Sequence, residues 1–254
     1  MFGLLQKRSS ARTTRRGKPT VPDGVRVYAI GDVHGCLAQL EQLLDRIAAD
    51  ALEADAAVHL VFLGDLVDRG PDSAGVVRRL LDGPLPGQRH SFLMGNHEEA
   101  MLRVWDGELE TLQGWLSFGG RETLDSYGLD RGDVFRLAAE LPRAMREVIP
   151  HSHIDFLRGF EDQVRVGDYL FVHAGIRPGV PLDQQEQNDL RWIREEFLYD
   201  EDSDHGVVVV HGHTITAEPD VRSNRIGIDT GCYSSGRLTA LVLEGASRRF
   251  LNTG

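Results

Sequence analysis

The sequence predicts an α/β protein in which two mixed β-sheets pack together, with helices flanking them and one helical insertion. Three observations predict it. Apolar runs of strand length recur along the 254 residues, and several end in glycine-rich polar segments. The first half alternates such runs with helical periodicity, whereas the second half is mostly strand after strand. An apolar share of 41% suits one large core, and neither an internal repeat nor a linker divides the chain, so residues 24–254 read as one domain.

The elements follow in order. Val25 to Ile30 reads as a buried strand, and Leu37, Leu40, Leu43, Leu44 and Ile47 then keep helical spacing to about Asp50. Val58 to Leu63 is the next strand, followed by a helix from Ser73 to Leu81 that Gly83 and Pro84 stop. Arg89 to Met94 is the third strand, with a helix through Met101 and Trp105 after it. Residues 107–160 read as mainly helical with few catalytic side chains. Strands on either side of Gly167-Asp168 form a hairpin, and a helix covers Asn188 to Leu198. Val207 to Val210, Asn224 to Ile228, Leu238 to Leu243 and Arg248 to Leu251 complete the chain as strands.

Charge excludes several functions. There are 28 basic against 39 acidic residues, a net charge of −11, which argues against nucleic acid as a partner because nonspecific affinity comes from neutralising phosphates. Lys7 and Lys18 are the only lysines, so the body lacks a Schiff-base lysine and the lysine of a P-loop. No run is long and apolar enough to predict a stable membrane association. Two cysteines, Cys36 and Cys232, point to a reducing, cytoplasmic setting. Residues 1–23 read as a disordered basic arm, with a targeting segment or a contact for acidic partners or lipid as alternatives.

Five segments carry the chemistry: GDVHG (31–35), GDLVDRG (64–70), GNHE (95–98), HAG (173–175) and HGHT (211–214). Each follows an expected strand, which gathers all five on one rim. Singly, each has a plain explanation: a turn aspartate beside a surface histidine, a loop-capping Asp65, a turn Asn96, a core His173. Five strand ends together make one site. Residues two apart on extended chain face the same way, so Asp32 and His34 can converge on one cation, and carboxylate with imidazole suits manganese, iron or zinc better than calcium or magnesium.

In that order, the segments resemble the metallophosphoesterase superfamily and, within it, the PPP-type serine/threonine protein phosphatases of bacteria and phage. The resemblance runs from about Val25 to Leu251, with weaker matches at FGGRETLDSYG, DLRWIREEF and IDTG. It implies the calcineurin-like phosphoesterase architecture and two divalent metal ions, manganese first and iron or zinc next. Asp32, His34 and Asp65 would hold one, and Asp65 would bridge to a second held by Asn96, His173 and His213. Only the histidine before Thr214 matches the family's ligand position; His211, two residues away on the same side of an extended strand, could compete for it or sit behind the ligand set. Arg69 and Arg194 match the phosphate-clamping positions, where a planar fork grips paired oxygens. His97 follows Asn96 and so faces the leaving group, with Asp68 orienting it.

The function so implied is phosphomonoester hydrolysis, on phosphoserine or phosphothreonine of a phosphoprotein or phosphopeptide, by direct attack of a hydroxide held between the metals. The alternative is a bis(5′-nucleosyl)-tetraphosphatase or small-molecule phosphoesterase. The tetraphosphatases share the metal motifs but typically carry Ala where this chain has Asp68. A remote alternative is an inactive binding scaffold, which would be expected to have lost ligands.

Overall fold

The computed structural model describes residues 17–53, 55–129 and 139–254. Ten strands form two sheets. The first contains β1 (Val25–Ile30), β2 (Ala57–Phe62), β3 (Arg89–Phe92), β9 (Thr239–Glu244) and β10 (Ser247–Asn252) in the order β10-β9-β1-β2-β3. The second contains β4 (Gln163–Val166), β5 (Tyr169–Val172), β6 (Val208–His211), β7 (Asp220–Val221) and β8 (Arg225–Gly227) in the order β4-β5-β6-β8-β7. Each sheet contains three consecutive parallel strands, β1-β2-β3 at one side of the first and β5-β6-β8 in the middle of the second, and antiparallel strands complete it.

Alternation along the strands builds the layers. Val27, Ala29, Val61 and Leu63 face the second sheet and meet Tyr169, Phe171, Val208, Val210 and Ile226 in the central layer. Tyr28, Ile30, Leu60 and Phe62 face outward onto helices α1 (Leu37–Leu52) and α2 (Ser73–Leu81), through Leu40, Leu43, Leu44, Ile47, Val76 and Leu80. Burial on both faces explains why these parallel strands are continuous apolar runs. Asp72 starts α2 by accepting the Gly75 N–H at 2.7 Å.

Helix α3 (Asn96–Asp106) leads into the insertion. There α4 (Leu112–Trp115), a π-helical turn (Leu116–Gly120) and α5 (Arg121–Ser126) precede helices Leu141–Val148 and His151–Arg158. These share a separate core around Trp105, Trp115, Leu124, Met145 and Ile154, which Val67 and Val77 join from the body. Residues 130–138 of the expected insertion lie outside the described residues.

Three expectations need revision. The single helix over 188–198 is two, Gln187–Trp192 and Glu195–Leu198, because Ile193 and Arg194 leave helical geometry. The break lets Ile193 and Phe197 both pack beneath Gly175, where a methyl group would lie 2.3 Å from the Phe197 ring. Two short elements, β7 and the helix Cys232–Ser235, had no periodicity to betray them.

The third revision concerns the arm. Residues 1–16 lie outside the described residues, but the chain is packed on the body well before residue 24. Thr20 donates its N–H to Asp168 Oδ2 at 2.9 Å, and its carbonyl accepts the Asp168 N–H at 2.9 Å. Val21 is buried and donates to the Gly245 carbonyl at 3.1 Å. This segment therefore ties the β4–β5 turn to the β9–β10 turn, one from each sheet. Among the described residues no helix is long and apolar enough to cross a membrane.

Asp168→Ala should loosen this tie while leaving the distant strand ends intact. A loss of about 1 kcal/mol is expected from the missing hydrogen bonds. Thermal unfolding should shift down by a few degrees, about what that loss implies for a chain this size, with catalytic rates unchanged.

Candidate dinuclear active site

All five motifs meet where the parallel strands of both sheets end. The loops after β1, β2 and β3 bring Asp32, His34, Asp65 and Asn96 from the first sheet, and those after β5 and β6 bring His173 and His213 from the second. Every one of these side chains is buried. Asp65 is central. Its Oδ2 lies 3.7 Å from His34 Nε2, 3.4 Å from His173 Nε2 and 3.8 Å from His97 Nε2.

Two of the imidazole rings are aimed by their second nitrogen. His34 Nδ1–H donates to the Val67 carbonyl at 2.8 Å, which leaves the Nε2 lone pair for the site. His173 Nδ1–H donates to the Leu63 carbonyl at 2.8 Å, and its Nε2 meets Asn96 Oδ1 at 3.0 Å and His213 Nδ1 at 3.2 Å. Burial pushes the pKa of His34 down to about 3, and burial with neighbouring His173 pushes His213 to about 2. Both are neutral at physiological pH. Burial opposes the charge of Asp65, yet His173 and His97 hold its carboxyl well below the usual range.

Two triads of ligand atoms each lie within 4.8 Å of one another: His34, Asp65 and His97, and Asp65, His173 and His213. Both contain Asp65, as a bridging role requires. Asp32 joins neither triad. Its Oδ2 accepts the His213 N–H at 2.9 Å, while burial and the nearby Asp229 and Asp65 raise its pKa well above normal. The polar atoms left over point to what fits here. Asp32 Oδ1, His34 Nε2, His213 Nε2 and Asp229 Oδ2 are buried without a hydrogen-bond partner. A proton satisfies at most two of these acceptors, whereas divalent cations suit a group of carboxylate and neutral imidazole donors.

The backbone is strained in the same place. Among the described residues, the non-glycine residues with positive φ are His34, Asp65, Asp68, Arg69 and His213, all of them expected site residues. A left-handed conformation costs about 1–2 kcal/mol at such a residue. Glu98 offsets part of that cost, and the sequence reading gave it no role. Fully buried in the first turn of α3, it accepts the N–H groups of Asp65 and Gly95 on Oε2 and of Leu66 and Val67 on Oε1, at 2.7–3.1 Å. Burial and the adjacent Asp65 push its pKa up to about 7.

His97 and Asp68 form the expected pair, with Nδ1–H donating to Asp68 Oδ2 at 2.6 Å. Burial disfavours the imidazolium, but Asp65 and Asp68 outweigh it and raise the pKa of His97. Asp68 also accepts the Trp115 indole N–H at 2.9 Å and the Thr123 hydroxyl at 2.6 Å. Both donors belong to the insertion, which therefore supplies more to the site than its composition suggested. Arg69 Nη2 donates to His97 Nε2 at 3.1 Å, and its guanidinium lies 5.0 Å above the Tyr233 ring. Gly119 is required beneath it, since a methyl group there would stand 2.5 Å from the Arg69 nitrogen. Arg194 lies on the rim, its Nη1 3.5 Å from Thr214 Oγ1.

His211 stands apart, its Nδ1–H donating to the Gly212 carbonyl at 3.0 Å and its ring against Phe197. Among the described residues it belongs to neither triad. Gly212 matters for a different reason than chain flexibility: a methyl group there would lie 1.9 Å from Asp32 Oδ1. Cys36, whose thiol donates to the His34 carbonyl at 3.4 Å, is packed in the core beneath the first loop.

A fold of two mixed sheets with this cluster at their shared rim defines a metallophosphoesterase. The chain belongs to the calcineurin-like phosphoesterase family, whose pattern matches residues 25–234. It is 27% identical over 236 residues to the asymmetrical bis(5′-nucleosyl)-tetraphosphatase PrpE of Anoxybacillus flavithermus, covering 84% of this chain and 88% of that protein. It is 29% identical over 262 residues to a symmetrical bis(5′-nucleosyl)-tetraphosphatase of a Janthinobacterium species, covering 85% and 92%. A crystal structure provisionally assigned as a diadenosine tetraphosphatase superposes with a TM-score of 0.63 at 25% identity, over 94% of this chain and 99% of that one.

Glu98→Gln should replace an acceptor oxygen by a donor facing backbone N–H groups. It is expected to cost about 1–3 kcal/mol of stability, seen in thermal unfolding, and to lower metal content on reconstitution. Of the two rim histidines, His213→Ala should lose one metal per chain and most turnover. His211→Ala should keep both metals and fall only modestly in rate, a ranking that elemental analysis of the two variants checks.

Proposed function

We propose that this chain is a dinuclear metallohydrolase acting on dinucleoside polyphosphates of the bis(5′-nucleosyl)-tetraphosphate kind. The observation that carries the substrate class is a cavity of about 620 Å³ beside the site. Arg69, Phe118, Arg121 and Tyr233 line it. Cationic and aromatic walls together suit a nucleotide, whose phosphates and base ask for both. The names of the relatives at 27% and 29% identity support the same reading.

Asp32, His34 and Asp65 would hold one divalent cation, and Asp65, Asn96, His173 and His213 the other. We assign manganese first, with iron or zinc next, on the donor set. Bound there, the two cations would neutralise phosphoryl oxygens and acidify water. Arg69 and Arg194 would grip the remaining oxygens. Substrate oxygens compete for the Arg69 N–H that now meets His97 Nε2. Once released, that nitrogen can carry a proton to the departing oxygen while Asp68 steadies the ring.

A second reading, phosphoserine or phosphothreonine hydrolysis, is favoured by one observation: the 2.6 Å His97–Asp68 contact. A departing nucleotide phosphate is weakly basic and has little need of a proton, whereas an alkoxide needs one.

Metal-free protein reconstituted separately with Mn, Fe, Zn, Ni and Mg, then assayed on diadenosine tetraphosphate and a phosphoserine peptide, separates the readings. The higher kcat/KM is expected on the tetraphosphate. A clear preference for the peptide would reverse the assignment, and no hydrolysis of either with any metal would remove it.

A further inference from the structure

We propose that Trp115 and Thr123 of the insertion are positioning residues for proton transfer: they lock the Asp68 carboxylate and, through it, orient His97. The inference rests on the hydrolase reading above and on neither choice of substrate.

Trp115 is fully buried, and an indole N–H is a donor that must find an acceptor when buried. Its acceptor is the fully buried carboxylate of Asp68, with Nε1 at 2.9 Å from Oδ2 and 3.2 Å from Oδ1. Thr123, also fully buried, grips the same residue twice. Its hydroxyl donates to Asp68 Oδ1 at 2.6 Å and accepts the Asp68 N–H at 2.8 Å, with Ser73 Oγ accepting that N–H as well at 3.0 Å. With His97 Nδ1–H on Oδ2, the carboxylate has three side-chain donors around it. Three fixed donors leave it one orientation, which in turn fixes the His97 ring plane and keeps its proton on Nδ1.

The test uses Trp115→Phe, which keeps most of the ring and removes the N–H, and Thr123→Val, which keeps the shape and removes the hydroxyl. Rates are measured on an alkyl phosphate, whose leaving group needs a proton, and on p-nitrophenyl phosphate, whose leaving group does not. For Trp115→Phe we expect kcat on the alkyl ester to fall about tenfold, a fraction of the 10²–10⁴ available to general acid catalysis. KM, metal content and the aryl rate should hardly change. In an Asp68→Asn background the same change should cost nothing further, because the interaction it removes is already altered.

Equal losses on both esters, a multiplicative loss in the double variant, or loss of metal would make Trp115 a packing residue and overturn the proposal. If Thr123→Val does not fold, Trp115→Phe decides alone. Wild-type protein that cleaves neither these esters nor diadenosine tetraphosphate with any metal would sink the hydrolase reading and this inference with it, whereas one that cleaves the tetraphosphate and neither ester keeps that reading and overturns the inference. A wild type that cleaves both, with variants losing both equally, sinks the inference only.

Discussion

Four backbone N–H groups converge on the carboxylate of Glu98, three from the loop after β2 and one from the loop after β3. Of these four donors Asp65 alone takes a left-handed conformation, with a φ of 48°. The turn that results aims Asp65 between three imidazoles. Without an anchor buried beneath it, the loop would relax toward extended geometry and carry its carboxylate away from the second sheet. The cluster of acid and imidazole side chains is thus held from behind, by a residue that bonds only to the loops carrying it.

The same division recurs around His97. Its own sequence neighbours place it at the start of α3, but its orientation is set by Asp68, and Asp68 by side chains 47 and 55 residues further along the chain. Arg69 shows the same dependence, because its left-handed backbone docks on the Gly119 carbonyl at 3.2 Å. The insertion is a separate hydrophobic unit by packing, yet it serves as the back wall of the His97–Asp68 pair.

How much of this was legible in the sequence follows from where each feature gets its information. Val25–Ile30 and the helix Ser73–Leu81 were readable closely, since an apolar run, helical spacing and the stop at Gly83 and Pro84 are local signals. The metal-ligand candidates were readable because each sits at a strand end in a short segment that contains glycine. Glu98, Trp115 and Thr123 were not singled out: their importance lies in what they bond, and those partners are distant in sequence. Glu98 stood inside GNHE and Thr123 inside FGGRETLDSYG, so the segments were flagged while the roles within them were not. The break at Ile193–Arg194 was hidden for a similar reason, since the Gly175 loop beneath it selects the kink. The preference for phosphoprotein over tetraphosphate leaned on Asp68 alone, and a proton-transfer residue reports leaving-group basicity more directly than substrate identity.

The ligands come from both sheets, and the sheets share no strand. They are held in register by an apolar layer and, near the opposite end, by Thr20 and Val21 bridging one hairpin turn of each. Apolar contact resists separation but is a weak guard against sliding, because a shifted layer buries nearly the same area. The polar tie and the buried cluster of acids and imidazoles therefore act as the two rivets of the sandwich. Small misalignments introduced anywhere between them, for instance by reshaping Phe171, would surface first as altered metal affinity while the secondary structure stayed whole. In this architecture the active centre is also the instrument that reads the alignment of its own scaffold.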